Sequence, residues 1–153
     1  MRNKWFAALV GVALAMVSAS SVLADTGGGG NADLGLEAVS INTGSVVGRT
    51  GEVTLTGSIS CTQDLDAWVY VDATQVVGRF NTIRGWGYTS VGCLAADGHA
   101  GFSMSFFADQ GKFAPGAVRI SAGAYTWFCD DVDCFYDFAS FGPASIRLAG
   151  SRS

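Results

Sequence analysis

Few side chains in this 153-residue sequence are of types that carry chemistry, and their spacing limits what they can do. The single His, His99, lies in Ala-Asp-Gly-His-Ala, the pattern of a solvated turn tip with no nucleophile paired to it. Asp64, Asp66 and Asp72 are the carboxylates that could act in pairs on a glycosidic bond, but they fall at strand ends with nothing to mark a cleft. Asp130, Asp131 and Asp133, with Asp137 nearby, form the densest acidic cluster. Calcium takes such ligands, yet the EF-hand order with its central Gly is absent and Asp is also an ordinary turn residue. There is no Gly-x-Ser-x-Gly elbow, phosphate-binding loop or His-Glu-x-x-His. The expectation is a protein that is not an enzyme and needs no metal or cofactor.

Cys61, Cys93, Cys129 and Cys134 remain. A four-Cys zinc site fits the spacing poorly, since C-x4-C stands beside two widely separated Cys. Two disulfides fit better. Cys129 and Cys134 flank Asp-Asp-Val-Asp, so a hairpin turning there sets them opposite each other, at a separation a disulfide spans. Cys61 and Cys93 then pair by elimination.

Disulfides belong to an oxidising compartment, and the start of the chain agrees. Arg2 and Lys4 precede an apolar run from Trp5 to Val17, and Val22-Leu23-Ala24 offers small-residue cleavage before Asp25, so residues 1–24 read as a signal peptide. The run is too short for a membrane span, and a secreted, extracellular product with no membrane association is expected. Without Arg2 and Lys4, seven Lys and Arg face 13 Asp and Glu, a formal charge of −6. Phosphate backbones need clustered cations, so nucleic acid is excluded as a partner.

Residues 25–33 form a flexible Gly-rich leader. Residues 34–153 read as one domain, long enough for a real core. Short β-branched and aromatic runs broken by Gly predict an all-β, immunoglobulin-like antiparallel sandwich of about seven to eight strands. The strands fall at residues 34–42, 52–61, 67–73, 76–83, 88–93, 101–108, 117–128 and 134–148, the last interrupted near Gly142-Pro143. In the second, Val53, Leu55, Ile59 and Cys61 alternate with Thr54, Thr56, Ser58 and Ser60, one face apolar and one hydroxylated.

The same alternation gives the most informative feature. In 117–128, Val118, Ile120, Ala122 and Ala124 make one set, while Arg119 and Ser121 share the other with Tyr125 and Trp127. In 67–73, Val69 and Val71 are core-like, which leaves Trp68 and Tyr70 with Asp72. Cys134 shares a face with Cys129, and Tyr136 and Phe138 follow at even spacing. Six aromatics therefore share the outer face of one sheet, with Trp86 and Tyr88 as further candidates between glycines. A patch of that size marks a binding surface. Two other arrangements stay open. A bulge at Gly123 could turn Tyr125 and Trp127 into the core, or residues 77–91 could fold over the patch. The partner expected for an open patch is an unknown protein, a glycan or a small apolar ligand.

Gly51-Glu52-Val53-Thr54-Leu55-Thr56-Gly57, followed later by Phe113-Ala114-Pro115-Gly116 leading into a long strand, resembles small secreted bacterial immunoglobulin-like domains, many of them without known function. Over about a third of the chain there is a fainter similarity to the apoproteins of enediyne chromoproteins, sandwiches that carry an apolar antibiotic. It rests on Ala67-Trp68-Val69, on Cys129 and Cys134, and on Gly142-Pro143 before Ser145-Ile146-Arg147-Leu148. That family closes its first disulfide over a short loop, unlike Cys61 and Cys93, and no ligand-binding residue is carried over from it.

Overall fold

The structure, a computed structural model, describes residues 33–79 and 81–151. The expected signal peptide and all but the last residue of the expected leader lie outside the described residues. Seven strands follow one another: β1 Leu36–Val47, β2 Val53–Cys61, β3 Leu65–Val77, β4 Asn81–Cys93, β5 His99–Phe106, β6 Gly116–Cys129 and β7 Cys134–Ser151. They hydrogen-bond in the order β4-β3-β6-β7-β1-β2-β5. All pairings are antiparallel except β1 with β7, which run parallel from Gly44–Leu148 to Val47–Ser151.

The sheet curls until its two edges approach. Gly85 of β4 bridges to Ala108 beyond β5, and Asp109 N–H donates to the Arg84 carbonyl at 2.8 Å. Apolar side chains fill the inside of the curl. Val53, Leu55 and Ile59 of β2, Val69 and Val71 of β3, and Val118 and Ile120 of β6 are all essentially inaccessible to water. The alternation read in β2, β3 and β6 is therefore the alternation that folds: β-branched and small aliphatic residues point in, hydroxyls or aromatics out. On the hydroxylated face of β2, Thr54 meets Ser105 and Thr56 meets Thr43, each pair 2.8 Å apart, the short polar pairing that suits a wet sheet face.

Two disulfides close the structure with the expected pairing. Cys61–Cys93 is buried and ties the end of β2 to the end of β4, with Cα atoms 6.3 Å apart. Cys129–Cys134 is exposed and closes the β6–β7 hairpin across a Cα separation of 4.0 Å. The Asp residues between them do turn work. Asp130 Oδ1 accepts the N–H groups of Asp133 at 2.7 Å and Val132 at 2.8 Å, which holds its carboxyl below the usual aspartate range. Asp137 belongs elsewhere: it points inward, nearly buried, and its Oδ2 accepts Leu34 N–H and Leu36 N–H at 3.1 Å each. It thereby pins the start of β1 to β7.

The expected antiparallel sandwich is corrected to one mixed, curled sheet, because β1 and β7 run parallel and join all seven strands, and the expected strand list is corrected at β4. Residues 76–83 are no separate strand: β3 continues to Val77, the chain turns at Gly78 and Arg79, and a single β4 runs on from Asn81. Tyr88–Cys93 is the second half of that strand, which brings the count to seven. Gly123 is no bulge, since it stays in unbroken register with Tyr70 on one side and Ser140 on the other. The register shift lies opposite, at Gly142-Pro143, where odd-numbered Ala139 and Phe141 point inward before the step and even-numbered Leu148 after it. A two-residue irregularity on β7 thus absorbs the shift and spares the parity of β6.

Candidate functional site

The outward side chains of β4, β3, β6 and β7 build one continuous aromatic surface. The strand register sets its rows. Ser90, Trp68, Tyr125 and Phe138 are successive cross-strand neighbours, as are Tyr88, Tyr70, Gly123 and Ser140 in the next row. Trp127 stands across from Tyr136, and Trp86 across from Asp72. Seven rings make a connected chain. Trp86 stacks on Tyr88 with centroids 6.0 Å apart, and Tyr88 meets Trp68 at 6.1 Å. Trp68 and Trp127 lie 6.3 Å apart and only 13° from parallel, and Trp127 stacks on Tyr125 at 5.7 Å. Tyr70 then joins Tyr125 to Phe138, each at 6.4 Å. Ring pairs at these separations attract beyond the area they bury, by about 0.5–1.5 kcal/mol each.

Glycines shape this surface from below. At Gly123 an added Cβ would sit inside the Tyr70 ring, so the absence of a side chain is what lets that ring lie flat across β6. In β4, Gly85 and Gly87 alternate with Trp86 and Tyr88. The glycines face inward, where Phe106 leaves no room for a Cβ at position 87, and the aromatics face water. β4 accordingly widens the patch as an edge strand and does not fold over it.

Every one of the eight aromatics in the expected set lies on this face. Trp86, Tyr88, Trp127 and Tyr136 are about half exposed, with Trp127 at 52% and Tyr88 at 62%. Trp68 and Phe138 are more shielded by their neighbours. Partial burial raises the Tyr70 phenol above the ordinary tyrosine range, with smaller contributions from the Asp72 carboxylate and Tyr125.

Two adjoining grooves open at one end of the face, where the ends of β4 and β6 meet the start of β3. The larger, about 650 Å3, runs from Leu34 past Asp64 and Asp66 to Leu94, Trp127 and Phe128. The smaller, about 520 Å3, lies between Trp68, Ser90 and Trp127, again with Asp66. Compared with models of protein families, with curated proteins and with solved structures, the chain matches none. The geometry of this face is therefore what speaks for function.

Several residues singled out in the sequence lie elsewhere or in other work. His99 is exposed at the first residue of β5, in register with Ser60, and is not among the residues lining the grooves. Asp64 Oδ1 accepts Ala95 N–H at 2.8 Å, which holds the chain after β4 against the start of β3. Among the described residues, no group of three or more His, Cys, Asp or Glu is arranged to hold a metal ion. Asp64 and Asp66 flank a groove lined also by Leu94 and Phe128, which no sequence motif marks. The alternation of β3, which sets Asp66 on the same face as Trp68, is the one sequence signal for it.

Proposed function

We propose that this chain is an exported, non-catalytic recognition module of immunoglobulin-like fold that binds its partner on the aromatic face of β4, β3, β6 and β7. The strand order supports the fold: β3, β6 and β7 stand side by side as the C, F and G strands of that architecture do, with β1, β2 and β5 as A, B and E. The signal-like start and the two disulfides support export.

The single observation that carries the binding reading is the connected run of seven neighbouring rings, some stacked and some tilted, five of them well exposed to water and Trp68 and Phe138 partly so. Apolar area of this kind costs about 25 cal/mol per Å2 to keep hydrated. A chain that already buries a full apolar core does not need it for folding. Rigid aromatics also lose little side-chain entropy on binding, which makes them efficient anchors. The face is broad and open, the shape that suits a macromolecule.

A second reading, carriage of a small apolar ligand, is favoured by the larger groove alone, whose volume falls within the roughly 300–1,000 Å3 of small-molecule sites. Native mass spectrometry of protein purified from the medium of its own producing cells tests both. Retained mass of a few hundred daltons, lost on Trp127→Ala, selects the carrier. A macromolecular adduct lost on Trp68→Ala and Trp127→Ala selects the module. Adducts unchanged by either substitution refute the face as the site.

A further inference from the structure

We propose that the occupant of the two grooves beside Trp127 is an extended peptide segment of a partner protein that presents arginine side chains. This rests on the binding reading above and adds the chemistry of the partner.

Charge decides the class. Among the described residues, the ionisable side chains lining the grooves are the carboxylates of Asp64 and Asp66, and no Lys or Arg lines either groove. The nearest cations on the outer face of these strands, Arg84 and Arg119, flank Thr74, six residues along β3 from Trp68 and about 20 Å away at strand rise. Asp66 lines both grooves, and among the described residues its carboxylate makes no hydrogen bond. Any occupant that covers Trp127 strips water from that carboxylate. A neutral occupant leaves the charge uncompensated, an anionic one repels it, and a cationic one pairs with it. The indole faces of Trp68 and Trp127 add in the same direction, because a ring's negative face attracts a cation.

Shape then favours arginine over lysine. The two indoles are nearly parallel, 13° apart, and a guanidinium is a planar cation that stacks on aromatic faces while its edge donates a paired hydrogen bond to a carboxylate. Two grooves that share Trp127 and Asp66 suit neighbouring side chains of one extended chain better than a single compact ligand. The chain as a whole, with 13 Asp and Glu against 9 Lys and Arg, attracts such a segment at long range.

The test uses the folded chain with both disulfides intact and three probes: a capped peptide of alternating Arg and Ser, the same peptide with citrulline for Arg, and the neutral oligosaccharide cellohexaose. Tryptophan fluorescence and calorimetry read binding. The arginine peptide is expected to bind, to weaken steeply as salt rises, and to exceed its citrulline twin by about tenfold or more. Asp66→Asn should cost about tenfold in affinity with an unchanged unfolding midpoint. Trp127→Ala should abolish binding, and Arg84→Gln should leave it unchanged. Failure of the arginine peptide to bind, or equal binding by the citrulline twin, overturns the arginine proposal. Cellohexaose binding that vanishes in Trp127→Ala also overturns it, while leaving the aromatic face as a binding surface. Arginine-peptide binding undiminished in both Trp68→Ala and Trp127→Ala sinks the two readings together.

Discussion

On β3 and β6 the two faces of the same strands are built from opposite materials. Inward lie Val69, Val71, Ile120 and Ala124, all but inaccessible to water and modest in volume. Outward lie Trp68, Tyr70, Tyr125 and Trp127, the larger side chains, partly or half exposed. Hydrophobicity alone would place the large rings inside, since they bury the most area. Three things reverse this. The curl is narrow, and its inner layer is already filled by Val, Ile, Leu and Ala residues together with Phe102, Phe106, Phe113 and Phe141, of which Phe106 and Phe113 pack edge to face at 6.0 Å. Gly123 makes room for Tyr70 on the outside only. Asp72 and Arg119 share the outer set's parity and cannot be buried. The inner face holds the chain together, and the outer face is held in place by it.

That division can be tested by the size of effects. The largest is expected from the buried clamp between β2 and the edge strand β4. Replacing Cys61 and Cys93 together with Ser should lower stability by about 4 kcal/mol, against about 2 kcal/mol for the short-loop pair Cys129 and Cys134, by loop-closure entropy. Denaturant titration of the two double variants reads the order directly. Next comes Ile120→Ala on the inner face of β6, expected to cost about 3 kcal/mol through lost burial and a cavity. Trp127→Ala, on the same strand facing out, removes a larger side chain yet should cost only about 1 kcal/mol, the scale of its stacking contacts. Equal costs at the two positions would erase the distinction between the faces.

The smallest effect concerns protons. Tyr70 has a folded pKa above the ordinary tyrosine value of 10.0, mainly through burial. Its neutral form is therefore favoured in the fold. The associated stability is fully present below the unfolded value and declines as pH rises through the folded one. An absorbance titration should show a late-ionising tyrosine that Tyr70→Phe removes, with no change in stability at neutral pH.

How far the sequence reveals all this depends on the element. β2 is legible because alternation, hydroxyls and a wet face coincide in Val53 to Cys61. The outer aromatic set is legible by parity, because Arg119, Ser121 and Asp72 fix which side faces water. β4 is not legible as one strand. Gly85, Gly87 and Gly92 lower its intrinsic strand preference, and it forms because β3 pairs along its whole length and Phe106 packs into the space its glycines leave. The parity step at Gly142-Pro143 is equally hidden, since nothing local tells on which of two paired strands a register shift is absorbed. The grooves are assembled from the ends of strands far apart in sequence, so only Asp66 beside Trp68 hints at them. Asp137 reads as one more acid of a turn, whereas its work is to receive two backbone N–H groups from the other end of the chain.

The parallel contact between β1 and β7 has a mechanical consequence. A pull applied through the two ends of the described segment draws β1 backward from its first residue and β7 forward from its last. Parallel neighbours loaded in that way slide along each other, so the pairs from Gly44–Leu148 to Val47–Ser151 bear tension simultaneously and do not unzip one by one. The antiparallel partnership of β1 with β2 shares the load, and the Asp137 carboxylate grips the leading end. Drawn end to end, the chain meets a sheared seam at the last residues of β7, where force enters that strand.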